Sequence, residues 1–569
     1  MGRRQSGPSG KDGSTGDLGT PAAPQALQKV ARRRNVAGLQ GLCSDPVAHA
    51  RLGRVWLVVV QAPSLRWSLD PWLTLSLGLS LSLGCGHNND APPEAIPPAP
   101  PVALFANQDS GVDDEFGDDF DDDFDDDFDD DGAPEPVELY PWMREAARKI
   151  TAHAKGKTRA WDRLAYMADH FGHRLSGSKA LEDTIDWAVE TMAKDGLSNA
   201  RREKVMVPRW VRGKESLRVL GDRARELHML GLGMSVGTRG PLRGELAVVD
   251  SLAVLEKGEV EVKGKIVLIN QRMPSFDHER NDPGYGKAVT ARTRGASAAA
   301  KLGAKAVLVR SVTAMSLDNP HTGALSYEEG VPKIPAAAVT LEGAEFLVRQ
   351  AARGPVKLEL RMGAKQLADS PSANVVAELR GREKPEEIVV IGGHIDSWDV
   401  GDGSSDDGAG CLMAMEAALM LKELKLVPRR TIRVVLFTNE ENGLRGGKAY
   451  FEAHGKEPHV AAIEADTGSG APRGLNVASE DEAVVRELSG WAPLFAGLGK
   501  IEIGPGWGGA DISPLMDSGV LGLSVRPDIE HYFDLHHSPA DTVDKIDPAH
   551  LQGNAAVMAL MAYLLAERE

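Results

Sequence analysis

The chain has 569 residues, 42% of them hydrophobic and 26% charged, which excludes a wholly disordered or collagen-like protein and allows three or four domains. Its net charge is −17, but residues 113–131 hold 14 acidic groups and no basic one, which leaves −3 for the rest. A near-neutral folded part excludes a nucleic-acid-binding footprint. Three cysteines, Cys43, Cys85 and Cys411, are too few and too scattered for a disulfide framework or a thiolate zinc site.

Residues 1–54 are rich in Arg, Gly, Ser and Pro. Two apolar runs follow, Val55–Val60 and Trp72–Gly84, with Arg66 and Asp70 between them, so no clean span of about 20 residues forms. The second run, LTLSLGLSLSLG, ends at Cys85. It resembles the hydrophobic region and cleavage site of a bacterial lipoprotein signal. That resemblance implies removal of a leader over 1–84, lipidation of Cys85, membrane anchoring, and export to the cell envelope or beyond. Ser82 departs from the pattern, and the run lies far from Met1, so a misassigned start is a second reading.

Residues 85–137 read as a disordered linker. APPEAIPPAPP favours extended polyproline II. An acidic repeat then sets Phe116, Phe120, Phe124 and Phe128 four apart. Dense like charge opposes a helix there, so a solvated spacer is expected, with weak calcium binding or a partner tail as alternatives.

Globular sequence begins at Glu138. Over 138–215 the periodicity predicts helices at 141–155, 161–171 and Ala180–Asp195, then a strand at 202–210. Residues 216–365 read as a separate β-rich unit. Strands are predicted at Lys265–Ile269, Ala306–Val309 and Ala336–Val339, and helices at Ala291–Leu302 and Leu341–Gln350. The order GKIVLINQ, AAAKLGAKAVLV, KIPAAAVT resembles the protease-associated domain. Its loop Pro274–Lys287 is long, charged and Gly-containing, and long enough to reach across to a neighbouring site.

Residues 366–569 alternate strands with helices from Asn374 on. Strands are expected at Glu387–Ile391, Thr431–Phe437, Val460–Ala465 and Leu521–Val525, and helices at Gly408–Leu424 and from Pro548 to the end, with Asp547 as cap. The pattern predicts an α/β three-layer sandwich with a mostly parallel central sheet, whose active site lies beyond the carboxyl ends of the strands.

Polar motifs follow those strands: GHIDSWDVGDGSSDDGAG with His394, Asp396 and Asp406, TNEENG with Glu440 and Glu441, EADTG with Asp466, and FDLHHSPADTVDKIDP with His537. Imidazole and carboxylate suit zinc, and a second ion needs a bridging carboxylate. These motifs, with HRLSGS (173–178) and EKVMVPRWVRGKES (203–216) upstream, resemble the zinc exopeptidases of the carboxypeptidase Q and co-catalytic aminopeptidase family. The resemblance implies two zinc ions per subunit. His394 and Asp466 would hold one, Glu441 and His537 the other, and Asp406 would bridge them. Glu440 would be the general base of a metal-bridged hydroxide. The Asp396 side chain would fix the ring of His394. His537 is preferred to His536 for its spacing to Asp541, and Asp406 to Asp407 because Asp407 suits a helix cap.

The expected activity is hydrolysis of dipeptides and short peptides, with the 216–365 unit as a roof over the strand ends, in a chain that forms a homodimer. Three readings compete: an aminopeptidase on longer peptides, a catalytically inactive receptor on the same fold, and a surface scaffold centred on the acidic repeat. Asp511, His531 and Tyr532 stay open between substrate contact and core.

Overall fold

The computed structural model describes residues 137–156, 159–278, 281–315 and 317–569. The leader over 1–84, Cys85 and the linker up to residue 136 lie outside the described residues.

Two eight-stranded sheets carry the described chain. In the first, the order is Ser198–Val211, Lys365–Leu379, Arg430–Phe437, Lys384–His394, His459–Glu464, Leu521–Pro527, Pro472–Ala478, Glu502–Pro505. The four middle strands, from Arg430–Phe437 to Leu521–Pro527, are parallel. Their flanks join antiparallel. Side chains alternate across a strand, and here both faces are covered. From Lys384–His394, Val389 and Ile391 enter one apolar core, and Ile388 and Val390 enter another. That double burial explains why these strands read as continuous apolar runs.

The first core holds the helices Pro141–Ala154, Ala160–Phe171, Lys179–Lys194, Ala409–Glu423 and Pro548–Glu567. Pro548–Glu567 is apolar on every side because it is enclosed, with Leu551, Val557, Leu560 and Leu564 fully buried. Asp547 caps it by accepting from the Ala549 and His550 amides at 2.7 and 3.2 Å, worth about 1 kcal/mol. The second core packs Arg445–His454 and Ser513–Asp517 on the other face. The architecture is the three-layer α/β sandwich expected.

The second sheet belongs to the insert. Its strands Leu242–Val249, Ile266–Ile269, Ala306–Arg310 and Ala336–Val339 are parallel, with Arg225–Leu227, Glu215–Leu220, Lys357–Met362 and Met229–Gly231 completing it. The insert hangs from an antiparallel ribbon, Ser198–Val211 against Lys365–Leu379, at one edge of the first sheet. The chain leaves along one strand and returns along the other, Val211 opposite Lys365. The insert helix runs Tyr285–Lys301, beginning ahead of the Ala-rich stretch, and buries Ala288, Ala291, Arg292, Ala296 and Ala299.

Candidate metal centre and active site

Parallel strands end on one side of a sheet, so whatever follows them in sequence gathers there. His394 is the last residue of Lys384–His394. Glu440 and Glu441 follow Arg430–Phe437, Asp466 follows His459–Glu464, and His537 follows Leu521–Pro527. Asp406 lies between Lys384–His394 and the helix Ala409–Glu423, and its peptide bond to Asp407 is cis.

Two groups of side chains meet at Asp406. His394 Nε2 lies 3.1 Å from Asp466 Oδ1 and 3.2 Å from Asp406 Oδ1. His537 Nε2 lies 3.0 Å from Glu441 Oε2 and 3.2 Å from Asp406 Oδ2. One carboxylate therefore serves both groups with different oxygens. Tetrahedral zinc with bonds of about 2.0–2.1 Å puts neighbouring donors about 3.3 Å apart, so these separations suit two such ions. Asp406 Oδ2 and Glu441 Oε1 are buried without a hydrogen-bond donor, as expected of atoms that face a cation.

The charge balance also fits cations. Asp396, Asp406, Asp407, Glu441, Glu464, Asp511 and Asp541 are all less than a tenth exposed. Arg174, a buried cation beside them, is consumed by the carbonyls of Ile395, Asp402 and Gly403 at 2.7–2.8 Å, and Arg292, also buried, lies on the far side of the His537 ring. Burial pushes the Glu440 and Asp407 carboxyls well above the usual range, with help from Asp466. Burial and the Asp406 charge raise Glu441 to about 7. Burial also pushes Asp406 up, but His394 and His537 outweigh it and hold the group well below the usual range. Bound divalent ions would offset this surplus of buried negative charge.

His536 Nε2 stands farther from Asp406 Oδ2, at 3.7 Å, stacked on His537. Asp407 accepts from the His394 amide and the Gly410 amide, both at 2.9 Å, so its oxygens are occupied as a cap's would be. Metal-sized groupings of His394 with Asp407 and Asp466, and of Asp406 with both His536 and His537, also exist. The occupied oxygens of Asp407 and the longer His536 distance favour Asp406 and His537.

Two expectations need correction. The ring of His394 is met at Nδ1 by the backbone carbonyl of Asp396, at 3.0 Å, while the Asp396 carboxylate stays 3.9 Å away. That carboxylate accepts instead from the Glu440 amide at 3.0 Å and the Ser176 hydroxyl at 3.1 Å. The spacing of His537 to Asp541 also has another meaning. Asp541 accepts from the Ser405 and Asp406 amides, at 2.6 and 3.1 Å, and so holds the bridging loop. Adjacent Glu440 and Glu441 leave a loop that Asn439 enters with φ +66°. Its side chain donates to Ser176 Oγ at 2.9 Å.

Other residues of the site were not legible as such. Arg174 clamps the 395–403 loop from within the HRLSGS motif. Glu464 accepts from the Ala510 and Ile512 amides, both at 3.0 Å, and seats Asp511, whose own oxygens are buried and unpartnered. The insert reaches the site directly: His321 Nδ1 donates to the His536 carbonyl at 2.7 Å, and the Thr322 amide to the His537 carbonyl at 2.8 Å. The end of the predicted loop, Tyr285, packs edge-on to His536 at 5.3 Å. A groove of about 290 Å³ opens beside Ser405, Thr467, His531 and Tyr532. A roomier one, about 780 Å³, lies among Tyr140, Trp142, Arg382 and Glu569 and contains none of the predicted ligands.

Comparison with known proteins agrees with this architecture. Residues 374–562 match the model of peptidase family M28, and residues 242–347 that of the PA domain. Carboxypeptidase Q of Mus musculus is 39% identical over 441 residues, 76% of this chain and 91% of that protein. The Xenopus laevis protein of the same name is 40% identical over the same shares. The crystal structure of a peptidase M28 precursor from Shewanella amazonensis superposes with TM-score 0.72 at 34% identity, covering 75% of this chain and 97% of that one. The class thus defined is the peptidases. Within it, the chain belongs to peptidase family M28, with a PA domain inserted.

Proposed function

We propose that the chain is a two-zinc exopeptidase that hydrolyses dipeptides and other short peptides. The observation that carries this is Asp406, whose two oxygens face two separate His–carboxylate pairs at 3.2 Å. His394, Asp466 and Asp406 would hold one ion, and Glu441, His537 and Asp406 the other. When bound, the ions supply Lewis acidity to the scissile carbonyl and lower the pKa of the attacking water.

Glu440 is the general base. It takes the proton of the attacking water and passes it to the leaving amine. Its backbone amide on Asp396, and Asp396 in turn on Ser176, fix the start of its side chain. Asp541 and Asp407 fix the backbone on either side of the bridging carboxylate. The insert lies against the His536–His537 segment and shields the site from solvent. Carboxypeptidase Q kinship supports short substrates. Anchoring through Cys85 and a homodimer belong to the same reading, and intact mass and sedimentation of the native protein test them.

Rates on a dipeptide, on its two end-blocked forms and on denatured casein test the activity. Rapid hydrolysis of the dipeptide alone is expected. Internal cleavage of casein, or equal rates on a doubly blocked peptide, would contradict it.

A further inference from the structure

We propose that the acidic segment 122–131 docks on a basic-rimmed groove beside the helix Pro141–Ala154 of the same chain. The docking is independent of the peptidase reading and gives a role to the Phe–Asp repeat, which that reading leaves unused.

A shallow groove of about 450 Å³ runs between that helix and the short helix Ala492–Leu498. Ala147, Leu494 and Gly497 form its apolar floor, and Arg144, Arg148 and Lys155 its rim, with no carboxylate among the lining residues. Gly497 lets the two helices approach: a Cβ there would sit 2.4 Å from the Thr151 side chain. The three cations lie four, then seven residues apart, close to whole turns of an α-helix, so they share one face. Arg148 pairs with Glu145 at 2.8 Å, whereas Arg144 and Lys155 have no ion pair among the described residues.

The segment carries the complementary pattern. Residues 122–131 read DDFDDDFDDD, eight aspartates with Phe124 and Phe128 four apart. Repulsion between like charges opposes a helix there when nothing neutralises it. Cations along one side relieve that repulsion. A helix then sets both rings on one face, about 6 Å apart along the axis. Arg144 and Arg148 have the same four-residue spacing on the helix they would face. The rings meet the apolar floor, and the aspartates on either side of them meet the rim.

Position favours the same match. Val137, the first described residue, packs on Gly490, where a Cβ would sit 2.5 Å from its side chain. Gly490 is three residues before Pro493, which lines the groove. Asp131 is six residues before Val137, a reach of up to about 20 Å, comparable with the length of the helix. A segment tethered so closely meets the groove at an effective concentration of about millimolar, so individually weak contacts suffice. The larger groove that Val137 also borders, beside Tyr140 and Trp142, is lined by five glutamates against three arginines and repels an acidic chain.

Carbodiimide coupling of the full chain tests the docking, because it joins a lysine amine to a carboxylate in contact with it. Mass spectrometry should find Lys155 joined to residues 122–131 about 10-fold more often than the exposed Lys179 or Lys301. The coupling should fall within one chain, as a mixture of isotopically light and heavy protein reveals. Arg144→Glu with Arg148→Glu should lower the yield by about 10-fold. Phe124→Ser with Phe128→Ser should do the same, although it leaves every charge in place and alters no residue of the described fold. If Lys179 and Lys301 couple to the segment as often as Lys155, the proposal is wrong even where the arginine variant fails to fold. A yield unchanged by the phenylalanine variant would reduce the contact to diffuse charge attraction and overturn the docking. Coupling of light to heavy chains alone would also overturn it, by making the occupant a second copy.

Discussion

The Asp396 carboxylate accepts from the amide of Glu440 and the hydroxyl of Ser176, while the ring of His394 rests on the Asp396 main-chain carbonyl. Asp396→Ala should therefore retain zinc and lower kcat by about 10²-fold, the usual result of displacing a reacting group by about 1 Å. A loss of metal affinity with little change in kcat for the loaded enzyme would restore the side chain as the support of His394. Glu440→Gln keeps shape but cannot accept a proton. It should bind zinc normally and lose about 10²–10⁴-fold in rate; retention of a third of wild-type activity would assign the base elsewhere. The proposed ligands could be picked out because His and carboxylates recur after successive apolar strands, in motifs that resemble the zinc exopeptidases. The helix expected to start at Ala291 begins at Tyr285 and buries Arg292 in register with Ala288, Ala296 and Ala299.

At the scale of elements, the segment Asn319–Thr322 joins insert and catalytic loop. Asn319 donates to Ser538 Oγ at 2.7 Å, and His321 and Thr322 donate to the carbonyls of His536 and His537. Burial lowers the His321 pKa to about 4 from 6.5. A histidine that is harder to protonate when folded binds fewer protons in the native state, so stability is full above pH 6.5 and falls as pH drops toward 4. The loss should reach about 2 kcal/mol by pH 5. Urea midpoints between pH 5 and 8 measure it, and His321→Asn should flatten the acid limb. An equally steep limb in the variant would place the titrating group elsewhere. The strands under this site were readable within a few residues because both their faces are buried. Lys365–Leu379 was not among the expected strands, since its first half is an exposed polar ribbon with no alternation to read.

For the whole molecule, the three-layer sandwich and the insert followed from strand–helix alternation and from the protease-associated resemblance. That the insert covers the strand ends was expected, but the residues that make the contact were not, because a linear pattern does not bring their side chains together. Trp398 illustrates this. It lies against Gly233 of the insert so closely that a Cβ there would overlap its ring, and it packs edge-on to Trp210 and His537. Gly233→Ala should therefore disturb the seat of the insert and cost both stability and activity, by about 1–3 kcal/mol in the first. Unchanged urea midpoint and rate would show that the two parts adjust freely.

The central claim is that one carboxylate, Asp406, organises two zinc ions for peptide hydrolysis. Zinc titration of the chelator-stripped full chain, read together by calorimetry and by dipeptide turnover, tests it most directly. Wild type should bind two equivalents, with turnover restored as they fill, and Asp406→Ala should lose both binding and rate. Full dipeptidase activity in the stripped protein, or two equivalents still bound by Asp406→Ala, would contradict it.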